Sequence, residues 1–153
     1  MAYSSNKLGR SEFARISACF GTHLMEVAGE FRKIASIAVC RKAIVVDPDN
    51  VEAYVDMGFA CGRLNQSSQA IAAFEQAIVL SPDYGEAHLG MGAAHCQLGR
   101  YPQAIASFKQ AVLLKSDYDE AYFGMGGAYR QLDQNIEALD AYKHAVAINP
   151  GHA

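Results

Sequence analysis

This 153-residue chain has few prolines, and it lacks closely spaced cysteine pairs, long apolar runs and an excess of positive charge. Its 4 prolines and 13 glycines suit helices joined by short turns, and they argue against a linker or a collagen-like chain. No stretch approaches the roughly 18 apolar residues of a membrane span, and no export signal is visible, so we expect a cytoplasmic protein. The net charge of −3 disfavours a nucleic-acid binder.

The four cysteines, Cys19, Cys40, Cys61 and Cys96, form no Cys-x-x-Cys pair. Their spacing therefore favours neither a zinc knuckle nor a redox motif. Without an export signal, we expect free thiols rather than disulfides. The content of 51% hydrophobic and 19% charged residues is that of an ordinary globular protein, which excludes wholesale disorder.

A 34-residue repeat organises the chain from residue 51 onward. Residues 51–84 and 85–118 agree at 16 of 34 positions without a gap, and residues 85–118 and 119–152 agree at 12. Self-similarity at such a period is typical of solenoids. When each copy is numbered from 1 to 34, positions 4, 7, 8, 20, 24, 27 and 32 hold, in the first copy, Tyr54, Met57, Gly58, Ala70, Phe74, Ala77 and Pro82.

The recurring positions fit two helices per copy. Positions 4, 7, 8 and 11 lie on one face of a helix, and positions 20, 24 and 27 lie on one face of a second. Proline at position 32 closes the second helix. Glycine at position 8 and alanine at position 20 remove bulk where the two helices cross, and the aromatic residue at position 24 fills the space beside them. The pattern predicts helices over 51–64, 67–80, 85–98, 101–114, 119–132 and 135–148.

These residues resemble the tetratricopeptide repeat over all of 51–152. The resemblance implies an all-α, right-handed superhelix of stacked antiparallel helix hairpins that acts as a non-catalytic protein-interaction scaffold. We assign repeats to 51–84, 85–118 and 119–152, a degenerate N-terminal repeat or cap to 11–50 and a flexible leader to 1–10. In the degenerate copy, Ser36 and Cys40 occupy positions 20 and 24.

The concave face implied by the resemblance carries positions 2, 5, 6, 9, 12 and 13 of each repeat. Several of these residues are apolar although the helix periodicity does not place them on the packing stripe, and Gly90, Ala93, Gly124 and Gly127 are expected to leave open space beside them. We expect this groove to bind a partner peptide or amphipathic helix that carries apolar and basic residues. The predicted groove residues are Glu52, Val55, Asp56, Phe59, Arg63, Tyr84, Glu86, Leu89, Ala93, Gln97, Tyr118, Glu120, Phe123 and Arg130.

Heat-shock chaperone tails are not expected as partners. Related repeat proteins hold those tails with a clamp of cations for two carboxylates, and the cationic positions of that clamp hold Val55, Glu120 and Gly124 here. Glutamate would repel a carboxylate.

No catalytic residue, metal or cofactor is predicted. A zinc site built on His95, Cys61 and a third ligand is conceivable, but His88 and His95 stand where the other copies have Tyr54, Tyr122, Cys61 and Tyr129, which favours packing roles. The glycines fall inside helices at the repeat spacing, and there is no phosphate-binding loop, nucleophile elbow or His-Glu-x-x-His motif.

Self-assembly is the main alternative function, either through the uncapped C-terminal hairpin or through an N-terminal helix exchanged between chains. The chain stops directly after a repeat, without a polar helix to cover the last hairpin, so we expect Tyr142, Ala145 and Val146 to contact another molecule or a second copy. A third alternative is that the chain is the repeat segment of a larger protein.

Overall fold

The computed structural model describes residues 29, 32 and 34–152, and within them the fold is a solenoid of antiparallel helices without strands. The first helix (α1) covers the described residues 34–46. The later elements are α2 (Val51–Arg63), α3 (Ser67–Leu80), α4 (Gly85–Gln97), α5 (Tyr101–Leu114), α6 (Asp119–Gln131), α7 (Asn135–Ile148) and a terminal 3₁₀ turn (Pro150–His152). The predicted second helices of each repeat are confirmed to the residue, and each first helix ends one residue earlier than predicted.

Each hairpin turns through one residue in the left-handed region. Asn65, Gly99 and Asp133 have φ values of 57°, 69° and 58°, and such values suit glycine, asparagine and aspartate. In each copy the following backbone N–H bonds back into the first helix, as from Gln66 to the Cys61 carbonyl oxygen at 3.0 Å. The same closed turn therefore fixes the angle between the two helices in every repeat.

Aromatic rings in the second helices lock successive hairpins together. The Phe74 ring lies between Gly58 of its own hairpin and Gly90 of the next, where a Cβ atom would come within 2.6 and 2.3 Å of the ring. Phe108 lies in the same way between Gly92 and Gly124, with corresponding distances of 2.6 and 2.5 Å. At Gly90 and Gly124 the aromatic ring of the preceding second helix therefore occupies the position that a Cβ atom would take.

One predicted groove residue, Val55, belongs to a hydrophobic core that also includes a residue of α1. Ile37 and Cys40 of α1 are buried, and Ile37 belongs to the same core cluster as Val55. Only 3% of Val55 is exposed, so its predicted role as a groove contact is wrong. The predicted leader 1–10, and the first part of the degenerate repeat up to residue 28, lie outside the described residues.

Candidate interaction groove

A cavity of about 650 Å³ lies along the first helices of the three hairpins. It contains seven of the predicted groove residues. Its floor is the Phe108 ring, and its wall includes Cys96, which was not among the predicted residues. The lining residues are Phe59, Glu86, Leu89, Gly90, Ala93, Cys96, Phe108, Tyr118, Glu120, Phe123 and Gly124.

A second cavity of about 200 Å³ continues the first toward the C-terminal ends of α2 and α4. The two cavities share Phe59, Gly90 and Ala93 in their linings, and the second adds Arg63 and Gln97. We call the two together the groove. Arg130 lines neither cavity and lies in the last turn of α6.

Two phenylalanine rings form the apolar walls of the groove. The Phe59 ring meets the Phe74 ring edge-on, with centroids 5.1 Å apart, and the Phe123 ring meets the Tyr142 ring in a similar way at 5.4 Å. Phe123 keeps 48% of its surface exposed. Edge-to-face contacts of this kind hold the rings in place while leaving their outer faces accessible.

Carboxylates line one end of the groove. Glu86 and Glu120 stand in the first turns of α4 and α6 and line the larger cavity, whereas Glu52 in the first turn of α2 lines neither cavity; all three are exposed. Each acidic side chain faces the positive end of its helix dipole, which stabilises the charge. The groove therefore offers a negative end without a cost in helix stability.

The negative charge of these carboxylates contributes to the raised pKa values of two tyrosines. Burial raises the pKa of the Tyr84 hydroxyl, and the charges of Glu86, Glu52 and Asp56 raise it further. Burial also raises the pKa of Tyr118, followed by the charge of Glu86, with Lys115 acting in the opposite direction. Negative potential disfavours the phenolate and favours a cation at the same place.

Gln97 connects two hairpins. Its side-chain oxygen accepts a hydrogen bond from the Ser67 hydroxyl at 2.6 Å, and its amide nitrogen donates to the Gly62 carbonyl oxygen at 3.4 Å. The side chain therefore fixes the C-terminal end of α4 against the first hairpin. Gln97 was predicted only as part of the groove surface, and the sequence spacing gave no sign of this bridging contact.

In the described part of the chain, packing positions hold the histidines and cysteines that a reactive site could use, namely His88, His95, Cys40, Cys61 and Cys96. Nε2 of His88 lies 2.9 Å from the Pro82 carbonyl oxygen, and burial lowers the pKa of His95. Burial raises the pKa of the thiols of Cys40, Cys61 and Cys96, which makes them poor nucleophiles at neutral pH. Over residues 34–152, no group of three metal-ligating side chains comes together.

The last hairpin exposes apolar side chains that are covered in the earlier ones. Leu139 of α7 is 55% exposed, whereas Ile105 at the same repeat position is 7% exposed beneath the following hairpin. Tyr142 is half-buried and Val146 is exposed. Ala145 is completely buried, so its predicted role in self-association is wrong, because its small side chain faces the inside of its own hairpin.

Comparison with protein families agrees with this architecture. A TPR repeat model matches residues 61–99 and 94–133, and tetratricopeptide repeat models match residues 39–72 and 119–152. The chain belongs to the tetratricopeptide-repeat family. The repeats and the shared fold support a protein–protein interaction module in general. No helix in the described part of this chain has the length and apolarity to cross a membrane.

Solved structures share the fold. Two crystal structures of MamA match 75% and 77% of this chain, with TM-scores of 0.70 and 0.71 and sequence identities of 27% and 26%. The TPR domain of Arabidopsis OM64 matches 66% of this chain with a TM-score of 0.65 and 25% identity, over 84% of its own length. The match covers 67% and 64% of the two MamA chains, so this chain spans about two thirds of their length. Among curated proteins, none matches this chain significantly.

Proposed function

We propose that this tetratricopeptide-repeat protein captures a segment of a partner protein in the groove along its first helices. The observation that supports this most directly is the cavity of about 650 Å³ between Phe59, Leu89 and Phe123. Its size falls in the range of binding sites for small ligands and peptide side chains. Accessible apolar side chains beside a polar rim are the usual mark of an interaction site.

The charges of the groove favour a partner segment with basic residues next to apolar ones. Glu86 and Glu120 lie at one end of it. Complementary charge selects partners and speeds their association. The same glutamates oppose the acidic tail of a heat-shock chaperone, for which Glu120 and Gly124 stand where a clamp would need cations.

The decisive experiment compares two pairs of substitutions. A partner is first isolated with the full chain and identified, and its affinity is measured by calorimetry. Phe59→Ala combined with Phe123→Ala should weaken binding at least about tenfold, since each removes a large apolar contact. Val79→Ala combined with Leu113→Ala is the matched control, because these apolar side chains lie exposed on the second helices. Groove binding would be refuted if both pairs of substitutions weakened the affinity equally, or if the phenylalanine pair left the affinity unchanged.

Self-association through the last hairpin is a second candidate function. It is supported by Leu139, which is 55% exposed where Ile105 is 7% exposed, and by its neighbours Tyr142 and Val146. Exposed apolar surface of this kind favours pairing with a second copy or another protein. Sedimentation velocity at two concentrations tests it. A concentration-dependent oligomer that Leu139→Glu dissolves would support it, and a strict monomer at both concentrations would exclude it.

A further inference from the structure

We propose that a cleft between α1 and α3 is a second docking site, which binds a segment of a partner protein that carries a carboxylate beside large apolar side chains. This α1–α3 cleft is lined by residues of α1, α2 and α3, including Arg41, Val45 and Ala72. It shares no described lining residue with the groove. The inference therefore goes beyond the proposed function, and neither depends on the other.

The α1–α3 cleft has a volume of about 620 Å³. Its apolar lining includes Ile44, Val45 and Met57, and its polar groups include the Arg41 guanidinium and the Gln69 amide. A concave site of this size, with a mainly apolar lining and a few polar groups, is typical of binding sites in proteins.

An equivalent cleft of about 430 Å³ lies between α5 and α7. Both clefts are lined by positions 4, 7 and 11 of a first helix, by positions 25, 28 and 29 of the preceding second helix and by positions 19, 22, 23 and 26 of the following one. The stacking of hairpins therefore produces this cleft more than once. The side chains that each copy supplies then decide what the cleft can bind.

Smaller side chains enlarge the α1–α3 cleft. Cys61 and Ala72 stand where the α5–α7 cleft has Tyr129 and Asp140. Replacing a phenol ring by a thiol and a carboxylate by a methyl group leaves more open space between the two second helices. The α1–α3 cleft can therefore admit larger apolar groups than its counterpart.

The two clefts also differ in charge. Arg41 and Lys109 stand at the same repeat position, but the α5–α7 cleft adds the carboxylates Glu137 and Asp140. The described residues that line the α1–α3 cleft include Arg41 and no carboxylate. Its charge therefore complements an anionic partner, and a guanidinium can bind a carboxylate through two parallel hydrogen bonds.

Two further observations place the charge of Arg41 at this cleft. A neighbouring cavity of about 420 Å³ shares Arg41 and Gln69 with it, so the two cavities meet at these side chains. Burial raises the pKa of the Cys61 thiol in the cleft wall, and the charge of Arg41 opposes this effect. The one carboxylate of α3, Glu75, lines neither cavity and acts instead on His95 of α4.

Exposed apolar side chains favour a protein segment over a small ligand as the occupant. Val45 in the cleft is 82% exposed, and Ile34 in the neighbouring cavity is 57% exposed. A small ligand inside the cleft would leave much of this apolar surface in water. A segment of a partner protein can fill the cleft and cover its rim at the same time, which is the usual fate of such a patch.

Peptide selection on the full chain tests this docking site. A displayed library of random twelve-residue peptides is selected against the protein, and enriched peptides are synthesised with a fluorescent label and measured by anisotropy. We expect a class of peptides with aspartate or glutamate beside leucine, isoleucine or phenylalanine. Replacing the acidic residue by its amide should weaken binding by about threefold or more, as for an exposed ion pair.

Matched variants assign these peptides to the α1–α3 cleft. Arg41→Gln should weaken their binding by about threefold or more, whereas Lys109→Gln, at the same repeat position in the α5–α7 cleft, should leave it unchanged. Ala72→Asp should weaken binding by about tenfold, because it introduces the carboxylate that Asp140 supplies in the other cleft. Its control is Ala106→Asp, which makes the same substitution at the equivalent exposed position of α5.

Acidic, apolar peptides that lose affinity with Arg41→Gln and Ala72→Asp, but keep it in both controls, support the inference. Enrichment only of peptides that require Phe59 and Phe123 overturns it and leaves groove binding standing. Peptides that bind the Arg41→Gln and Ala72→Asp variants as tightly as the unaltered protein, or the absence of enrichment, also overturn it. Sodium decanoate and phosphatidylglycerol vesicles are measured in parallel. Binding of either that requires Arg41, when no peptide does, would assign the cleft to a lipid and refute the protein partner.

Discussion

Replacing Gly124 by alanine tests how the hairpins lock together. Gly124 lies in the middle of α6 against the Phe108 ring of the preceding hairpin, and a Cβ atom there would stand 2.5 Å from Cζ of that ring. The ring also lies against Gly92, where a Cβ atom would come within 2.6 Å of it, so its movement away from Gly124 is restricted. The added methyl group must therefore separate the second and third hairpins or strain the ring.

Gly127 provides the control on the same helix. A Cβ atom at Gly127 meets only the Tyr142 hydroxyl at 3.8 Å, an ordinary contact. Alanine is favoured over glycine in a helix interior by about 0.8–1.0 kcal/mol, and both variants share this gain. Overpacking of a filled site typically costs about 1–3 kcal/mol. We expect Gly127→Ala to stabilise the protein by up to about 1 kcal/mol, and Gly124→Ala to be less stable than Gly127→Ala by about 1–3 kcal/mol.

Urea unfolding followed by circular dichroism measures both variants. The difference between them isolates the steric cost, because the helix-propensity gain cancels. A difference smaller than about 0.5 kcal/mol, the usual scatter of independent sites, would refute the locked ring. Adding Phe108→Leu to Gly124→Ala should recover part of the loss, since the smaller side chain makes room for the methyl group.

Three further predictions concern burial, a bridging contact and protonation. Ile105→Ala should lower the free energy of unfolding by about 2–5 kcal/mol, because the next hairpin covers this side chain. Leu139→Ala should change the free energy of unfolding by no more than about 0.5 kcal/mol, because no further hairpin covers Leu139. Equal losses of stability in urea titrations would contradict this. Gln97→Ala should cost about 1–3 kcal/mol because it leaves the buried Ser67 hydroxyl without its acceptor, and the loss should shrink in a Ser67→Ala background if the bond at 2.6 Å is its cause. Burial and the charge of Arg100 lower the pKa of His95, although Glu75 opposes them. Its contribution to stability should therefore be present above the ordinary histidine pKa of about 6.5 and be lost as the pH falls. Urea midpoints at pH 7.5 and 5.5 should show this loss of stability. The loss should be smaller in His95→Tyr, a substitution chosen because Tyr129 stands at the equivalent position of the next repeat. An unchanged pH dependence in that variant would refute this role of His95.

Much of the fold could be predicted because its determinants are local and recur. The turn residues Asn65, Gly99 and Asp133 mark the hairpin ends, and the spacing of Ala70 and Phe74 gives the second helix. The groove was predicted less completely. Cys96 and the floor residue Phe108 were missed, because a side chain on the packing stripe of one helix can still close a cavity between its neighbours.

Two pairs of residues show what sequence spacing alone does not decide. Val55 and Phe59 lie one turn apart on α2, and both were predicted to contact a partner. Val55 is covered together with Ile37 of α1, whereas Phe59 remains part of the groove. Gly90 and Gly127 were both expected to leave space, but an aromatic ring occupies the position of an added Cβ atom at Gly90, whereas at Gly127 the nearest atom is 3.8 Å away. Periodicity assigns a residue to a helix face, and the neighbouring hairpin determines whether that face is occupied.

The sequence by itself determined the helices, their turns and the stacking of hairpins, because these depend on contacts that repeat within 34 residues. Only the tertiary structure decided which apolar side chains stay accessible, and that glutamates and Arg63 stand at opposite ends of one groove. Those features arise where three successive hairpins meet. They depend on the volume of side chains from different repeats, which no single 34-residue copy contains.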